Sequence, residues 1–478
     1  MRCFFVIPAW APEEIFSRKT AGAQINYWQP LGTLYVAAAV RAAGHQVRLL
    51  NGAFESQEAM LAAIRAGRPQ VVGIYSTTFG WPKAKETARA VKAIDPAIHV
   101  TVGGPYPVAR EGACLDDCPF VDTVVTGEGE LTMPELLERL ASGQSLAGCL
   151  GVAFRENGQV QTNPPRPFIT DLDALPLPAR DLLGGVDAYV PPPATYRRKP
   201  VAVMITARGC NRRCLFCFQL DKSRKSGVRF RSVDSVLAEI EHLLAAGYRE
   251  IKFIDDTLAA DYHRAMTIAN EIQARGLDFT WFASACVSQV DEALFRAFKA
   301  AGCWAVLLGA ESGVQKSLNA IRKGITLEQT RRAVKAAKRA GLVVYTPFLF
   351  GIPGETFADG LATIDFACQL DPDIANFHAL TPFPGTELYD NLPLYGTMSE
   401  DLADYTYQGA AFVPHSMSRD EIQKLRQLAL RRFYSRPSFL LRRLLALRNR
   451  HDLHVALKGA KSLFWLWAQR DLFSRPSR

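Results

Sequence analysis

A chain of 478 residues with 48% hydrophobic and 22% charged side chains carries enough apolar material for two or three ordinary globular domains. No uninterrupted apolar stretch is long enough to span a bilayer, Cys3-Phe4-Phe5-Val6-Ile7 reads as a strand rather than a secretory leader, and ten cysteines in so long a chain suit a reducing cytoplasm better than a disulfide framework. The net charge of +9 belongs to the tail: residues 419–478 hold 15 Lys/Arg against 4 Asp/Glu, and the rest of the chain holds 41 against 43.

Residues 1–150 alternate strand and helix periods. Apolar runs at 4–7, 47–50, 71–75, 99–102 and 121–125 are short enough for strands covered on both faces, the last interrupted by Asp122 and Thr123. Helical patterns lie between them at 31–43, 58–66, 84–94 and 133–140. The alternation predicts an α/β domain, a doubly wound parallel sheet with its ligand at the carboxyl ends of the strands. Those ends carry Pro8-Ala9-Trp10, Ser76-Thr77-Thr78, Gly103-Gly104-Pro105 and Gly127-Glu128-Gly129-Glu130. Glycines admit a bulky ligand to the backbone and hydroxyls can hold a phosphate or amide, although each turn alone is ordinary.

Residues 151–200 read as a connector. Alternation around Asn157-Gly158 predicts a hairpin, and the proline-rich run 164–178 an extended strap. After the apolar run 201–205 stands Arg208-Gly209-Cys210-Asn211-Arg212-Arg213-Cys214-Leu215-Phe216-Cys217. Three thiolates in one tight loop are natural ligands of an iron–sulfur cube, with one of its irons left open. The alternative, a zinc knot, calls for a fourth Cys or His close by, and Phe218-Gln219-Leu220-Asp221-Lys222 offers none. Ser232 is placed to cap a helix with Val233, Val236, Leu237, Ile240 and Leu244 on one face. Strand patterns at 251–254, 279–282, 305–308, 343–350 and 374–378 complete six strand–helix units.

Residues 391–478 form a basic, helical region without a catalytic motif. Its segment 433–445 interleaves arginine pairs with leucines, and Leu463-Phe464-Trp465-Leu466-Trp467 is apolar and aromatic. Such a pattern suits an amphipathic helix on an anionic membrane surface or a helix packed over the preceding domain, and its apolar content argues against nucleic acid.

The cysteine spacing resembles that of the radical SAM superfamily. The resemblance implies a partial (β/α)6 barrel over 201–390, with Cys210, Cys214 and Cys217 holding a 4Fe-4S cluster whose open iron binds S-adenosylmethionine. It places Phe216 near the adenine. Asp255 and Asp256, at the second strand's end, are placed to receive the amino group. Glu311 and Ser312, at the fourth strand's end, would meet the ribose or the methionine moiety. Gly351 and Gly354, in Gly351-Ile352-Pro353-Gly354-Glu355, match the adenine-contacting turn, and 382–387 closes the last unit as in this group. Neighbours on a strand point to opposite faces, so the choice between Asp255 and Asp256 stays open.

Pro30-Leu31-Gly32, Gly103-Gly104-Pro105 and Thr126-Gly127-Glu128-Gly129-Glu130 together resemble the cobalamin-binding domain that precedes the radical domain in one large subgroup. This implies cobalamin bound by residues 1–150, against Ser76, Thr77, Gly103, Gly104, Gly127 and Glu128. The Asp-x-His-x-x-Gly motif of many cobalamin domains is absent: Pro8-Ala9-Trp10-Ala11-Pro12-Glu13 holds no histidine, and His45 precedes a strand. Members of the subgroup often lack that histidine, so the lower axial ligand of cobalt is left unassigned.

The resemblance to this subgroup, hopanoid methylases and the anaerobic magnesium-protoporphyrin ester cyclase among them, implies methylation of an unactivated carbon, with a hopanoid-like or other polycyclic lipid as acceptor. It also implies an external electron donor such as flavodoxin or ferredoxin, and a cytoplasmic protein with peripheral contact at the inner face of the membrane. The alternatives are a cobalamin-dependent cyclisation or rearrangement of a tetrapyrrole or other hydrophobic metabolite, and a cluster-bearing cobalamin sensor.

Overall fold

The computed structural model describes residues 1–9, 28–221, 223, 225–401, 404–405, 409–445, 456–457 and 459–460; Trp10-Ala11-Pro12-Glu13, Lys222 and the aromatic run 463–467 lie outside them. Five short apolar strands, β1 (Arg2–Ile7), β2 (Gln46–Asn51), β3 (Val71–Tyr75), β4 (His99–Gly103) and β5 (Thr123–Val125), lie parallel in the order β2-β1-β3-β4-β5. Helices Leu31–Ala42, Gln57–Gly67 and Trp81–Ile94 connect the first four, the short helices Pro105–Arg110 and Ala113–Asp117 lead to β5, and Gly129–Ser142 follows it, so that both faces of the sheet are buried. The order turns back on itself between β1 and β3, which opens a crevice at their carboxyl ends. The fifth strand begins at Thr123 rather than at 121, because the Asp122 carboxylate accepts from the Val100 N–H at 2.7 Å and pairs with Lys92 at 2.6 Å.

The hairpin expected in the connector is present as β6 (Val152–Glu156) and β7 (Gln159–Thr162). Its turn takes φ +51° at Asn157 and +78° at Gly158, the left-handed pair that an Asn-Gly turn favours. It extends the first sheet, antiparallel to β5, and Val152, Ala153 and Phe154 bury against it. Pairing covers an edge that β5 would otherwise expose. The strap beyond is pinned to both halves: Asp181 pairs with Arg41 at 2.6 Å, and Arg180 with Glu239 at 2.8 Å.

Six parallel strands in consecutive order make the second sheet: β8 (Val201–Met204), β11 (Glu250–Phe253), β12 (Thr280–Ala285), β13 (Cys303–Leu308), β14 (Val343–Phe350) and β15 (Ile374–Ala379). A two-stranded ribbon, β9 (Ala207–Arg208) against β10 (Arg229–Phe230), brackets the cysteine loop. Strand–helix units repeated in consecutive order give the open barrel the resemblance implies. Ser232 caps helix Val233–Ala245, accepting from the Ser235 N–H at 3.1 Å, and Val236, Leu237 and Ile240 are buried. Helix Arg419–Tyr434 packs over this barrel through Ile422, Leu425, Ala429 and Phe433. The following helix, Pro437–Leu445, buries Phe439 but exposes Leu440, Leu441, Leu444 and Leu445. Among the described residues no helix is long and apolar enough to cross a membrane.

Candidate active site

The cysteine loop is fixed before its first thiol. Leaving β8, the chain is gripped by Asp255, whose Oδ1 accepts from the Thr206 N–H at 2.7 Å, the Ala207 N–H and the Thr206 hydroxyl. Asp255 is buried, its Oδ2 has no hydrogen-bond partner among the described residues, and burial pushes its carboxyl up to about 6. Asp256 is exposed and faces Cys210 and Cys217. Alternation has thus separated the pair: Asp255 holds the loop, and Asp256 lines the cavity beside it. Gly209 takes φ +96°, and a Cβ there would stand 2.5 Å from the Gly227 carbonyl oxygen, so the turn into Cys210 requires glycine.

Burial raises all three thiols, Cys214 to about 11. A lysine opposes that cost. Lys323 bears on Cys210, Cys214 and Cys217, and its Nζ donates to Glu311 Oε1 at 2.6 Å. Burial would lower Lys323, but the Glu311 carboxylate and Cys214 hold it above its ordinary value. It reaches the loop because the Leu215 N–H donates to the Ile321 carbonyl at 3.0 Å. Among the described residues no three His, Cys, Asp or Glu side chains converge as a single-ion site. Three thiols of one loop facing a common cation suit a larger anionic cluster. Sequence reading missed Lys323; Ile321-Arg322-Lys323-Gly324 shows only a turn, and its link to Glu311 is a tertiary contact.

Glu311 lies at φ +63°, with its backbone bonded to Pro347 and Leu349 of β14 and its side chain turned to Lys323. Ser312 does not join it: its hydroxyl is 3.1 Å from the Thr363 hydroxyl and accepts from the Val314 N–H at 3.2 Å, directed into the neighbouring helix. Gly351 and Gly354, at φ +83° and +75°, shape a turn closed by Glu355, whose Oε2 accepts from the Gly351 and Ile352 N–H groups. Phe216 packs on the cluster of Leu349, Ile352 and Leu380, beside the turn that holds Gly351 and Gly354.

A cavity of about 760 Å³ separates the carboxyl ends of the two sheets, near the upper end of the range for small-molecule sites. Gly103, Gly104 and Gly127 line it from the first sheet, and Cys210, Gln219 and Asp256 from the second. A Cβ at Gly127 would meet no atom within 4 Å and one at Gly103 only Val125 at 3.9 Å, so side chains there would project into the cavity. This bare wall fits a large flat cofactor. Ser76 and Thr77 do not line it: the Ser76 hydroxyl donates to the Thr77 carbonyl at 3.0 Å, and the Thr77 hydroxyl accepts from the Gly80 N–H at 3.2 Å. Tyr75 and Thr101, which sequence reading passed over, take their place.

Glu128 lines the cavity, but its carboxylate faces the other domain. It pairs with Arg208 and with Arg229, each at 2.9 Å, and accepts from the Ile169 N–H at 2.8 Å. Glu130 binds the same Arg208. Burial would raise the Glu128 carboxyl, yet Arg229, Ile169 and Arg208 hold it below its usual range. The Gly-Glu-Gly-Glu turn therefore clasps the two halves at the strand that leads to Cys210.

The B12 binding domain family matches residues 22–137 and the Radical SAM superfamily residues 204–367. The chain is 36% identical over 452 residues to an uncharacterized methyltransferase of Pyrococcus horikoshii, covering 92% of this chain and 94% of the relative. It is 28% identical over 455 residues to the anaerobic magnesium-protoporphyrin IX monomethyl ester cyclase of Rubrivivax gelatinosus, covering 92% of this chain and 78% of that one. The fold is similar to that of the radical S-adenosylmethionine methyltransferase TsrM from Kitasatospora setae, with TM-score 0.67, 21% identity and coverage of 88% and 84%.

Proposed function

The chain belongs to the cobalamin-dependent radical SAM methyltransferase family, and we propose that it methylates an unactivated carbon of a hydrophobic acceptor held between its two cofactor sites. The observation that carries this reading is a cavity bounded both by the glycine-walled strand ends and by Cys210 and Asp256. A cobalamin and a cluster-bound S-adenosylmethionine supply, when bound, the methyl group and the radical that removes a substrate hydrogen.

The protein's part is to place these groups and exclude water. Residues 1–150, extended by the hairpin, hold cobalamin against Gly103, Gly104 and Gly127, and residues 201–390 hold the cluster through Cys210, Cys214 and Cys217. Asp256 receives the ammonium of S-adenosylmethionine, as opposite charges at a strand end should. Lys323, paired with Glu311, offsets the negative charge of the thiolates. Phe216 and the turn at Gly351 and Gly354 bound the adenine.

The acceptor we name first is a hopanoid-like or other polycyclic lipid. Four exposed leucines on helix Pro437–Leu445, beside the basic tail, support peripheral contact with an anionic membrane. An external flavodoxin or ferredoxin is the electron donor on this reading. The test is to compare metabolites of cells with and without the protein, fed methionine with a labelled methyl group. A product that carries the label and disappears with the protein is expected. A product that changes without carrying label would replace methyl transfer by ring closure or rearrangement.

A further inference from the structure

Strand alternation divides the second sheet into two faces. Ile251, Phe253, Ala283, Val306, Val344 and Phe377 pack beneath the helices, so their neighbours along each strand point into the lumen. In a filled barrel such residues are buried in layers. Here Phe282, Ala305 and Tyr345 form one such buried layer, and Lys252, Ser284, Leu307, Pro347 and Asn376 beside it are half-buried.

Lys252 is the cation of that lumen. Its Nζ stands 4.6 Å from the ring centroid of Trp28 and 4.6 Å from that of Phe282, and it has no ion pair among the described residues. Glu250, two residues earlier on the same face, is committed elsewhere: it accepts from the Arg197 and Arg198 N–H groups and from the Trp304 ring N–H at 2.6 Å. The side chains of Ser284 and Asn376 also make no hydrogen bond among the described residues. Burial pushes the Lys252 ammonium down to about 8. A leucine would fill this position without that desolvation cost, so the charge needs a partner that the described residues do not supply.

Lys252 lies one layer beneath the cavity wall, against Trp28 of its lining. Ile254 and Asp256 continue the face of Lys252 upward, and both line the cavity together with Trp28 and Ile205. We propose that Lys252 is the receptor for an anionic group, a carboxylate or phosphate, on the acceptor substrate, with Trp28 of the cavity wall flanking the apolar body next to it. The two aromatic faces hold the ammonium in place before the anion arrives. This rests on the proposed methyl transfer and narrows its acceptor from a neutral hydrocarbon to an amphipathic molecule.

Dodecanoate is the probe and dodecanol its neutral control, in equilibrium dialysis with the holoprotein carrying cluster and cobalamin. Wild type is expected to bind dodecanoate at least about tenfold more tightly than dodecanol, the increment of one charged contact. Lys252→Met should abolish that preference and Lys252→Arg retain most of it, with cluster and cobalamin spectra unchanged in both. In the wild-type protein, dodecanoate but not dodecanol should slow acetylation of Lys252 by acetic anhydride, a reading independent of how the variants fold. Equal binding of the two probes, a preference that survives in Lys252→Met, or unprotected Lys252 overturns the assignment. A methyl-labelled product without an anionic group overturns it too, while leaving methyl transfer standing. Absence of any labelled product removes methyl transfer, and the dialysis still decides the anion site.

Discussion

The two walls of the cavity are built by opposite means. On the side of β3, β4 and β5 the chain leaves its backbone bare at Gly103, Gly104 and Gly127, between Tyr75 and Thr101, and turns its carboxylates Glu128 and Glu130 away into ion pairs. On the side of β8 and β11 it adds polar chemistry, with Cys210 and Asp256 at the rim and Lys252 below. A bare wall selects by shape and a charged wall by electrostatics. The first therefore suits a large resident cofactor, and the second a cluster, a zwitterionic cosubstrate and an acceptor that comes and goes. Variants that damage one wall should leave the other intact.

The largest effect is expected from Cys214→Ala. The thiol is buried at the centre of the loop, and without it no cluster should survive anaerobic reconstitution, so 5′-deoxyadenosine formation should vanish. Cobalamin absorbance after gel filtration should persist, because the glycine wall is untouched. Loss of both cofactors together would show that the two walls form one cooperative unit.

The clasp between the walls comes next. Arg208 binds Glu128 and Glu130, all three largely buried, so Arg208→Met leaves Glu130 without its counter-charge. Removing one partner of a buried pair costs about 3–5 kcal/mol, which should appear as an early denaturation step in urea. The same variant should lose methylated product more steeply than 5′-deoxyadenosine, since the walls separate while each keeps its own groups. Equal loss of both would reduce the clasp to simple support.

Glu355 allows a pH test of the charged side alone. Its carboxyl is buried, Oε1 lacks a partner among the described residues, and burial lifts it to about 7. A folded value above the unfolded 4.5 means that the group's stabilising contribution is complete below 4.5 and is lost as pH rises through 7. Glu355→Gln keeps an acceptor for the Gly351 and Ile352 N–H groups without the charge. It should match wild type near pH 4.5 and exceed it by about 3 kcal/mol above pH 8, read as the difference in denaturant midpoint. A difference independent of pH would exclude the buried charge as its cause.

Periodicity made both sheets legible, because β1, β3 and β14 are largely apolar runs buried along most of their length. The cysteine loop was legible because its chemistry is local. What sequence reading could not resolve depended on the direction of side chains. Ser312 and Ser76 stand at the expected strand ends, but local hydrogen bonds consume their hydroxyls. Glu128 sits in the expected motif but serves Arg208 and Arg229, which lie 80 and 101 residues away. Lys323 and Lys252 carry no motif at all. Their meaning arises only when a distant carboxylate is present, as for Lys323, or absent, as for Lys252.

The bare wall yields the smallest and most selective effect, in Gly127→Val. A Cβ at Gly127 meets nothing within 4 Å, so the change should cost the fold little. The branched side chain must then occupy the cavity itself, where the flat cofactor would lie. Overpacking of this kind costs about 1–3 kcal/mol, or roughly tenfold to a hundredfold in cobalamin affinity. Gly104 cannot serve the same purpose, since a Cβ there stands 2.6 Å from the Ser76 carbonyl oxygen at φ +105° and would strain the backbone before reaching any ligand. Equilibrium dialysis against cobalamin, with iron content measured on the same sample, separates the outcomes. Weakened cobalamin with full iron fits a wall selected by shape. Unchanged affinity would move the cofactor away from β5 and leave the glycines there without a ligand to admit.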